Sequence, residues 1–214
     1  MSWFSGLRSS QPVAQRPASG HRSPALKGLL EGLRPGTRRS VLDLGPPLGP
    51  NVELLSHFGC RVRIADFYRS LAGEPVSNRE PEAFASLVGR LLPLDRDERF
   101  DIVLVWDVFN YLRPDQISSL MARLAPACRL RAMVFALMST RRQIPAAPFC
   151  YRILDNETLR YEGTLEAVRP CPRYAQPDLT RMMPGFRVEG SFLLRNGLQE
   201  YLFARGKGGA AAPG

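Results

Sequence analysis

Three aspartates stand at or beside the carboxyl ends of predicted parallel strands, where open α/β sheets bind their ligands. Asp43 lies within the first of these strands, Asp66 ends the second, and Asp107 follows the third. Asp66 comes 21 residues after Gly45, close to the separation at which nucleoside-binding units place a carboxylate for the ribose. One carboxylate can accept both hydroxyls of a vicinal diol through charge-assisted hydrogen bonds. Any single aspartate could instead cap a helix or face solvent, but three at successive strand ends favour a ligand site.

Hydrophobic patterning predicts the elements that position these aspartates. Short apolar runs predict strands at 40–45, 61–66, 101–106 and 130–138, although the Ala and Met content of the last also permits a helix. The run at 101–106 is continuous, which is typical of a strand covered on both faces. Apolar residues at helical spacing predict helices at 24–33, 51–58, 81–92 and 114–124. This alternation predicts a doubly wound, mostly parallel α/β sheet.

Residues 139–176 interrupt the alternation and predict an insertion. Prolines break this segment, and it contains a hairpin that turns near Asp155. A short helix is predicted next, at 176–183. Beyond it two strands flank Asn196-Gly197, a pair typical of tight hairpin turns. We therefore expect an antiparallel hairpin at the edge of the sheet.

Composition predicts one domain with two flexible ends. Residues 24–205 hold the patterned elements, and a domain of that length can bury a sizeable core. Residues 1–23 are rich in Ser, Pro, Gln and Arg, and residues 206–214 are rich in Gly and Ala. Because neither end supplies enough apolar side chains to pack, both are expected to be flexible.

The charge of the chain is unevenly distributed. Its 214 residues include 29 Lys plus Arg and 20 Asp plus Glu, for a net charge of +9, and only Lys27 and Lys207 are lysines. Residues 1–40 carry 7 basic and 1 acidic side chains, residues 41–112 carry 7 and 11, and residues 113–214 carry 15 and 8. A basic chain can bind nucleic acid, but the acidic middle segment contains the three aspartates. We therefore expect a small-molecule partner, with nucleic-acid binding as the weaker alternative.

Several other classes of protein are disfavoured. No apolar run reaches the roughly 18–20 residues that cross a bilayer, and the N-terminus lacks the apolar stretch of a secretory signal. Four cysteines without C-x-x-C spacing and two histidines do not match a structural zinc site, so no metal is expected. We expect a cytoplasmic protein with reduced cysteines. Its oligomeric state stays open.

Three stretches give the sequence a resemblance to a known family. They are VLDLGPPLG at 41–49, the acidic residue in RIADF at 63–67, and FDIVLVWDVFNYL at 100–112. With the closing hairpin, they resemble the class I S-adenosylmethionine-dependent methyltransferases in the order of elements over about residues 25–205. The resemblance implies a Rossmann-like, mostly parallel seven-stranded sheet with an antiparallel C-terminal strand. It also implies S-adenosylmethionine as cofactor and methyl transfer to an unidentified small-molecule substrate.

The resemblance further implies roles for residues at the strand ends. Gly45 and Gly49 would lie in the loop around the aminoacyl part of the cofactor, and Asp66 would hold its ribose. The full cofactor-binding set would be Asp43, Gly45, Pro46, Pro47, Gly49, Asp66, Phe67, Asp107 and Val108. The insertion at 139–176 would cover the substrate, and its mixture of arginines and aromatic residues could receive an anionic one.

The candidate catalytic residues follow the third predicted strand. Methyl transfer is a displacement that requires reactants held in line, with a general base only where the acceptor is protonated. Asp107, Asn110 and Tyr111 are the polar residues in position to act on the substrate side. Their alternative role is structural, because the aspartate or the asparagine can cap a helix and the tyrosine can pack in the core.

Two features depart from the family pattern. The loop after the first strand reads GPPLG, with Pro47 in place of the usual middle glycine, and Pro46 and Pro47 remove two backbone N–H donors. No strand is recognisable between residues 66 and 100. The loop is therefore either a stiff one that binds through other groups, or part of a methyltransferase-like module that has lost its cofactor and serves in binding or scaffolding. Filling of the crevice by Pro46, Pro47 or Trp106 would favour the module.

Overall fold

The computed structural model describes residues 19–33, 36–74, 80–163 and 167–206. The strands in chain order are β1 (Ser19–Arg22), β2 (Arg39–Asp43), β3 (Cys60–Ile64), β4 (Phe100–Trp106), β5 (Cys128–Ser139), β6 (Gln143–Pro145), β7 (Cys150–Ile153), β8 (Thr158–Glu162), β9 (Val168–Pro170), β10 (Phe186–Leu193) and β11 (Leu198–Arg205). The helices are α1 (Pro24–Glu31), α2 (Gly49–His57), α3 (Phe67–Ala72), α4 (Pro81–Leu91), α5 (Pro114–Leu124) and α6 (Gln176–Met182). Short 3-10 helices at Val108–Tyr111 and Ala125–Ala127 flank α5.

The central sheet has the strand order β10–β11–β5–β4–β2–β3. Strands β3, β2, β4 and β5 are parallel to one another, and β11 is antiparallel to both of its neighbours. The predicted doubly wound, mostly parallel sheet with an antiparallel C-terminal strand is confirmed. Strand β3 is added on one side of β2, and β4 and β5 are added on the other, so the order of strands reverses between β2 and β4. Open α/β sheets form their ligand crevice at such a switch point.

Within the described residues this sheet has six strands, not the seven that the resemblance implies. Between β3 and β4 the described chain forms α3, α4 and a turn, while residues 75–79 lie outside it. The segment 95–99 that leads into β4 reads Asp-Arg-Asp-Glu-Arg. Five consecutive charged residues cannot supply the apolar side chains that a parallel strand buries.

Strand β4 lies between the two hydrophobic clusters of the core. Val103 and Val105 pack with residues of α4, α5 and α6, whereas Ile102 and Leu104 pack with residues of α1 and α2 on the other face. Successive side chains of a strand point to opposite faces, so a strand covered on both faces must be apolar throughout. Trp106 continues the second cluster at the end of the strand.

Residues 19–23 belong to the fold, so the flexible segment predicted over 1–23 is too long at its C-terminal end. Strand β1 pairs with β8 of the insertion. The buried carboxylate of Glu200 contacts His21 Nε2 at 3.2 Å and accepts a hydrogen bond from Ala25 N at 2.9 Å. Composition could not indicate these contacts because Glu200 lies 179 and 175 residues away in sequence. The rest of that segment and the C-terminal tail lie outside the described residues.

The predicted insertion contains two small antiparallel sheets. Strands β7 and β8 form the predicted hairpin and join β1, while β6 pairs with β9. The hairpin turn includes Asp155, and the closing hairpin of β10 and β11 turns at Asn196-Gly197, both as predicted. Gly197 has a φ of 85°, a conformation that glycine adopts without strain.

Candidate ligand site at the strand ends

Asp43 ends strand β2 and uses its carboxylate within the protein. Its Oδ1 accepts hydrogen bonds from Gly45 N at 2.8 Å and from Trp106 Nε1 at 2.6 Å. Burial raises the pKa of Asp43 to about 6, although these two hydrogen bonds act in the opposite direction. The carboxyl therefore ties the ends of β2 and β4 together.

Trp106 packs directly on Gly45. A Cβ at Gly45 would lie only 2.8 Å from Trp106 Nε1 and 2.9 Å from its Cδ1, so a larger residue cannot occupy this position without a shift. Trp106 itself has a φ of 55°, a left-handed conformation that costs a non-glycine residue roughly 1–2 kcal/mol. Its indole stacks on the ring of Tyr151, with centroids 5.6 Å apart and an interplanar angle of 1°. Two aromatic rings thus fill the space beside the glycine.

Asn51 holds strand β7 against the start of α2. Its Nδ2 donates to the carbonyl of Tyr151 at 2.8 Å, and its Oδ1 accepts from Ile153 N at 2.8 Å. The asparagine side chain therefore pairs with β7 in the way that a neighbouring strand would. Because it is buried and both of its polar atoms are used, it fixes Tyr151 over Trp106.

The two prolines of the loop lie beside this arrangement. Pro46 is half-buried and Pro47 is exposed, and neither has an N–H to offer a ligand. Gly49 begins α2, and a Cβ there would meet nothing within 4 Å. The open part of the loop therefore lies beyond the prolines, away from the Trp106 indole.

Asp66 is the aspartate of the three that keeps an accessible carboxylate, with 24% of its side chain exposed. It has a φ of 43°, and its Oδ2 lies 3.9 Å from Arg69 Nη1. The side chains of Phe67 and Val108, which the resemblance also assigns to the cofactor, pack in the hydrophobic core. Cofactor contacts of these three residues remain predictions.

In this arrangement the crevice between β2 and β4 does not fit S-adenosylmethionine. The indole of Trp106 occupies the position beside Gly45, the Oδ1 of Asp43 is already engaged, and the prolines provide no N–H donors. A cofactor at this place requires Trp106 and Tyr151 to move.

A separate pocket of about 240 Å³ opens next to the crevice. The segment after β4, the end of β5, the insertion and the turn between β10 and β11 line it. One wall, which we call the aromatic wall, consists of Phe149, Tyr151 and Tyr161, whose ring centroids lie 5.1–6.4 Å apart. All three predicted catalytic residues, Asp107, Asn110 and Tyr111, line this pocket.

Asp107 is a buried acid with one unused oxygen. Its Oδ2 accepts hydrogen bonds from Phe149 N and from the Tyr151 hydroxyl, each at 3.2 Å, and its Oδ1 has no hydrogen-bond partner. No arginine, lysine or histidine of the described residues forms an ion pair with it. Burial raises the pKa of Asp107 to about 7.

Asn110 has a structural function at the edge of the pocket. Its Nδ2 donates to the carbonyls of Asp107 and Leu137, at 3.0 and 2.9 Å, and its Oδ1 accepts from Ser139 N at 2.9 Å. Asn110 therefore joins the end of β4 to the end of β5. Tyr111 contributes a ring to the pocket, and burial raises its pKa well above the usual range.

Hydrogen-bond donors line the side of the pocket formed by the turn between β10 and β11. Asn196 accepts a hydrogen bond from Leu198 N at 3.1 Å, but its buried Nδ2 has no partner. Arg141 donates through Nη2 to the Asn196 carbonyl at 2.9 Å and packs against Gly197. Two side chains with hydrogen-bond donors therefore line the same pocket as the unused acceptor of Asp107.

Asn51 and Asn196 are the site residues that sequence reasoning missed. An asparagine in the first turn of a helix is typical of capping, and one before glycine is typical of a hairpin turn. The partners of Asn51 lie 100 and 102 residues away, so no local pattern could reveal them. Trp106, which the sequence analysis did name, fills the crevice together with Tyr151.

The described ranges contain no group of three or more His, Cys, Asp or Glu arranged to hold a metal ion. Within the same ranges, no helix is long and apolar enough to cross a membrane. Cys60, Cys128 and Cys171 are buried and Cys150 is exposed, and all four are unpaired thiols.

No protein-family model matches the sequence, and no curated protein matches it either. Solved structures resemble it in fold. The 1,6-didemethyltoxoflavin-N1-methyltransferase of Burkholderia thailandensis is 17% identical, with 86% of this chain and 78% of that chain covered and a TM-score of 0.48. A TehB-like SAM-dependent methyltransferase of Corynebacterium glutamicum is 13% identical, with 85% and 87% covered and a TM-score of 0.47.

The glycopeptide N-methyltransferase MtfA is 14% identical, with 85% of this chain and 92% of that chain covered and a TM-score of 0.46. At these identities and TM-scores the similarities concern the arrangement of strands and helices. They carry no conclusion about the cofactor or the substrate of this chain.

Proposed function

We propose that this protein is a small-molecule-binding module with a methyltransferase-like fold, in which the Asp107 pocket receives the ligand. The observation that carries this proposal is the packing of Trp106 on Gly45 and of Tyr151 on Trp106, which fills the usual cofactor crevice. The neighbouring pocket stays open, and two of its lining residues, Asp107 and Asn196, each have a buried polar atom without a partner.

Opening the crevice would have a substantial energetic cost. It would break the Trp106–Asp43 hydrogen bond, the Tyr151–Asp107 hydrogen bond and the aromatic stack. Two hydrogen bonds at about 0.5–1.5 kcal/mol each and one stack at about 0.5–1.5 kcal/mol give roughly 1.5–4.5 kcal/mol. Because only the open form could bind, the apparent affinity for the cofactor would fall by about 10-fold to 2000-fold.

Isothermal titration with S-adenosylmethionine and S-adenosylhomocysteine tests this proposal. We expect no measurable binding by the parent protein at ligand concentrations up to about 1 mM. Micromolar binding of either compound would overturn it. The same preparation is then titrated with the small molecules described below, so that an inactive protein is not mistaken for a cofactor-free one.

The second candidate function is S-adenosylmethionine-dependent methyl transfer, and the position of Asp66 favours it. Its partly exposed carboxylate follows β3, where the resemblance implies a ribose contact. In this case Trp106 and Tyr151 would swing aside when the cofactor binds, and the Asp107 pocket would hold the methyl acceptor. The parent protein would then bind S-adenosylhomocysteine, and Asp66→Asn would weaken that binding at least about tenfold through loss of charge-assisted bonds.

A further inference from the structure

The carboxyl of Asp107 lacks a counter-ion. It is 4% exposed, and its Oδ1 accepts no hydrogen bond. A buried carboxylate is costly unless it is paired, and the described residues supply no cation for it. A group that pairs with the ionised acid must donate hydrogen bonds, and one with a positive charge would stabilise it most.

The side of the pocket formed by the turn between β10 and β11 calls for a hydrogen-bond acceptor. Asn196 Nδ2 is a buried donor without an acceptor, and the Arg141 guanidinium keeps several donors beyond the one bonded to the Asn196 carbonyl. A carboxylate suits both groups, because a guanidinium binds it through charge-assisted hydrogen bonds. A ligand with a second cation at this end would be repelled by Arg141.

The aromatic wall lines the pocket together with these polar groups and selects the side chain of the ligand. Its three rings contact one another and present apolar surface to the pocket, together with the nearby Ile144 and Pro145. Planar or branched apolar groups gain most from such a surface. The volume of about 240 Å³ restricts the ligand to a small molecule.

We propose that the pocket binds an apolar, amino-acid-like zwitterion, with its ammonium paired to Asp107, its carboxylate received by Asn196 and Arg141, and its side chain on the aromatic wall. This inference rests on the proposed binding function and names the ligand class. Each charge of the zwitterion meets a group of opposite character, whereas a simple amine or a simple acid would leave one end of the pocket unsatisfied.

Protonation of Asp107 makes binding of such a zwitterion depend on pH. The ammonium pairs with the ionised acid, whose pKa in the free protein is about 7. Affinity should therefore be about tenfold higher at pH 8 than at pH 6. Neighbouring groups whose pKa values are raised above their usual range stay neutral over this interval; they are Tyr68, Tyr111, Cys150 and Tyr151. Asp43, with a pKa of about 6, also titrates in this interval. The variant Asp107→Asn distinguishes its contribution from that of Asp107.

Isothermal titration with three compounds of one carbon skeleton tests the proposal. Phenylalanine carries both charges, phenethylamine only the ammonium and phenylpropionate only the carboxylate. We expect phenylalanine to bind at least about tenfold more tightly than either of the others, because each lacks one charge-assisted contact. Equal or tighter binding of phenylpropionate would overturn the inference, and so would the absence of binding by all three at about 10 mM.

Asp107→Asn provides the matched variant, since it keeps the shape and an acceptor for Phe149 N and the Tyr151 hydroxyl. It should weaken phenylalanine binding at least about tenfold, leave phenylpropionate binding unchanged and abolish the pH dependence. The exposed Asp97→Asn serves as control and should behave as the parent.

Persistence of the pH dependence in Asp107→Asn would assign it to Asp43 and overturn the role of Asp107. These outcomes are distinct from failure of the proposed function itself. That failure would show as binding of S-adenosylhomocysteine by the parent protein, whichever of the three compounds bound.

Discussion

Asp43 ends strand β2 and Asp107 directly follows the adjacent strand β4, yet the surroundings of the two acids differ. Both are buried acids with raised pKa values. The Trp106 indole donates to Asp43 Oδ1 and packs over Gly45, whereas Asp107, whose buried Oδ1 has no partner, lines an open pocket. The side chain that packs beside each acid, and not the acid itself, thus decides which strand end stays open.

Gly45→Ala should produce the largest effect, because it disturbs the closed crevice directly. The added Cβ would lie 2.8 Å from Trp106 Nε1 and displace the indole from Asp43 and Tyr151. We expect the free energy of unfolding to fall by about 2–4 kcal/mol, measured by urea denaturation.

Gly49→Ala, in the same loop, provides the matched control. A Cβ at Gly49 meets nothing within 4 Å, so the free energy of unfolding should change by less than about 1 kcal/mol. Equal destabilisation by the two substitutions would contradict the packing of Trp106 on Gly45.

The two aspartates should differ in their contribution to the pH dependence of stability. The folded-state pKa of each lies above its usual value of 3.8, so the folded protein binds more protons than the unfolded chain and stability falls as pH rises through this interval. Between pH 5 and pH 8, Asp107 should account for a loss of about 2–3 kcal/mol and Asp43 for about 1 kcal/mol.

Urea denaturation of Asp107→Asn and Asp43→Asn at the two pH values measures these contributions. Each variant should lose less stability than the parent over this interval, and the difference should be larger for Asp107→Asn. If the free energy of unfolding of the parent protein changes between pH 5 and pH 8 by the same amount as that of both variants, neither acid has a raised pKa.

Trp106→Phe removes the indole N–H and keeps an aromatic ring over Tyr151. Asp43 then loses its closest hydrogen bond. The expected loss is about 1–2 kcal/mol in the free energy of unfolding. Tyr161→Phe removes a hydroxyl from the aromatic wall and should change stability by less than about 0.5 kcal/mol. A Trp106→Phe protein as stable as the parent would rule out a stabilising role for the Trp106–Asp43 hydrogen bond.

Asp66→Asn should have the smallest effect on stability, within about 0.5 kcal/mol, because the side chain is partly exposed and asparagine tolerates a positive φ. It should also leave phenylalanine binding unchanged, since Asp66 does not line the pocket. Loss of phenylalanine binding in this variant would contradict the separation of Asp66 from the Asp107 pocket.

The fold could be predicted wherever the local pattern of apolar and turn residues indicates an element. The continuous apolar run of β4 indicated a strand covered on both faces, and the Asn196-Gly197 pair indicated the closing hairpin. The pairing of β1 with β8 and the number of strands in the sheet could not be predicted, because they depend on backbone partners far away in sequence.

The sequence by itself determined the mostly parallel sheet and the presence of acids at the ends of its strands, since both follow from local periodicity. Only the tertiary structure decided which acid remains available. Trp106 lies 63 residues from Asp43, Tyr151 lies 44 residues from Asp107, and Asn51 lies 100 residues from the Tyr151 carbonyl that it binds. Hydrogen bonding and stacking depend on distances in space, so the same residue type is a structural tie at one strand end and a candidate ligand contact at the next.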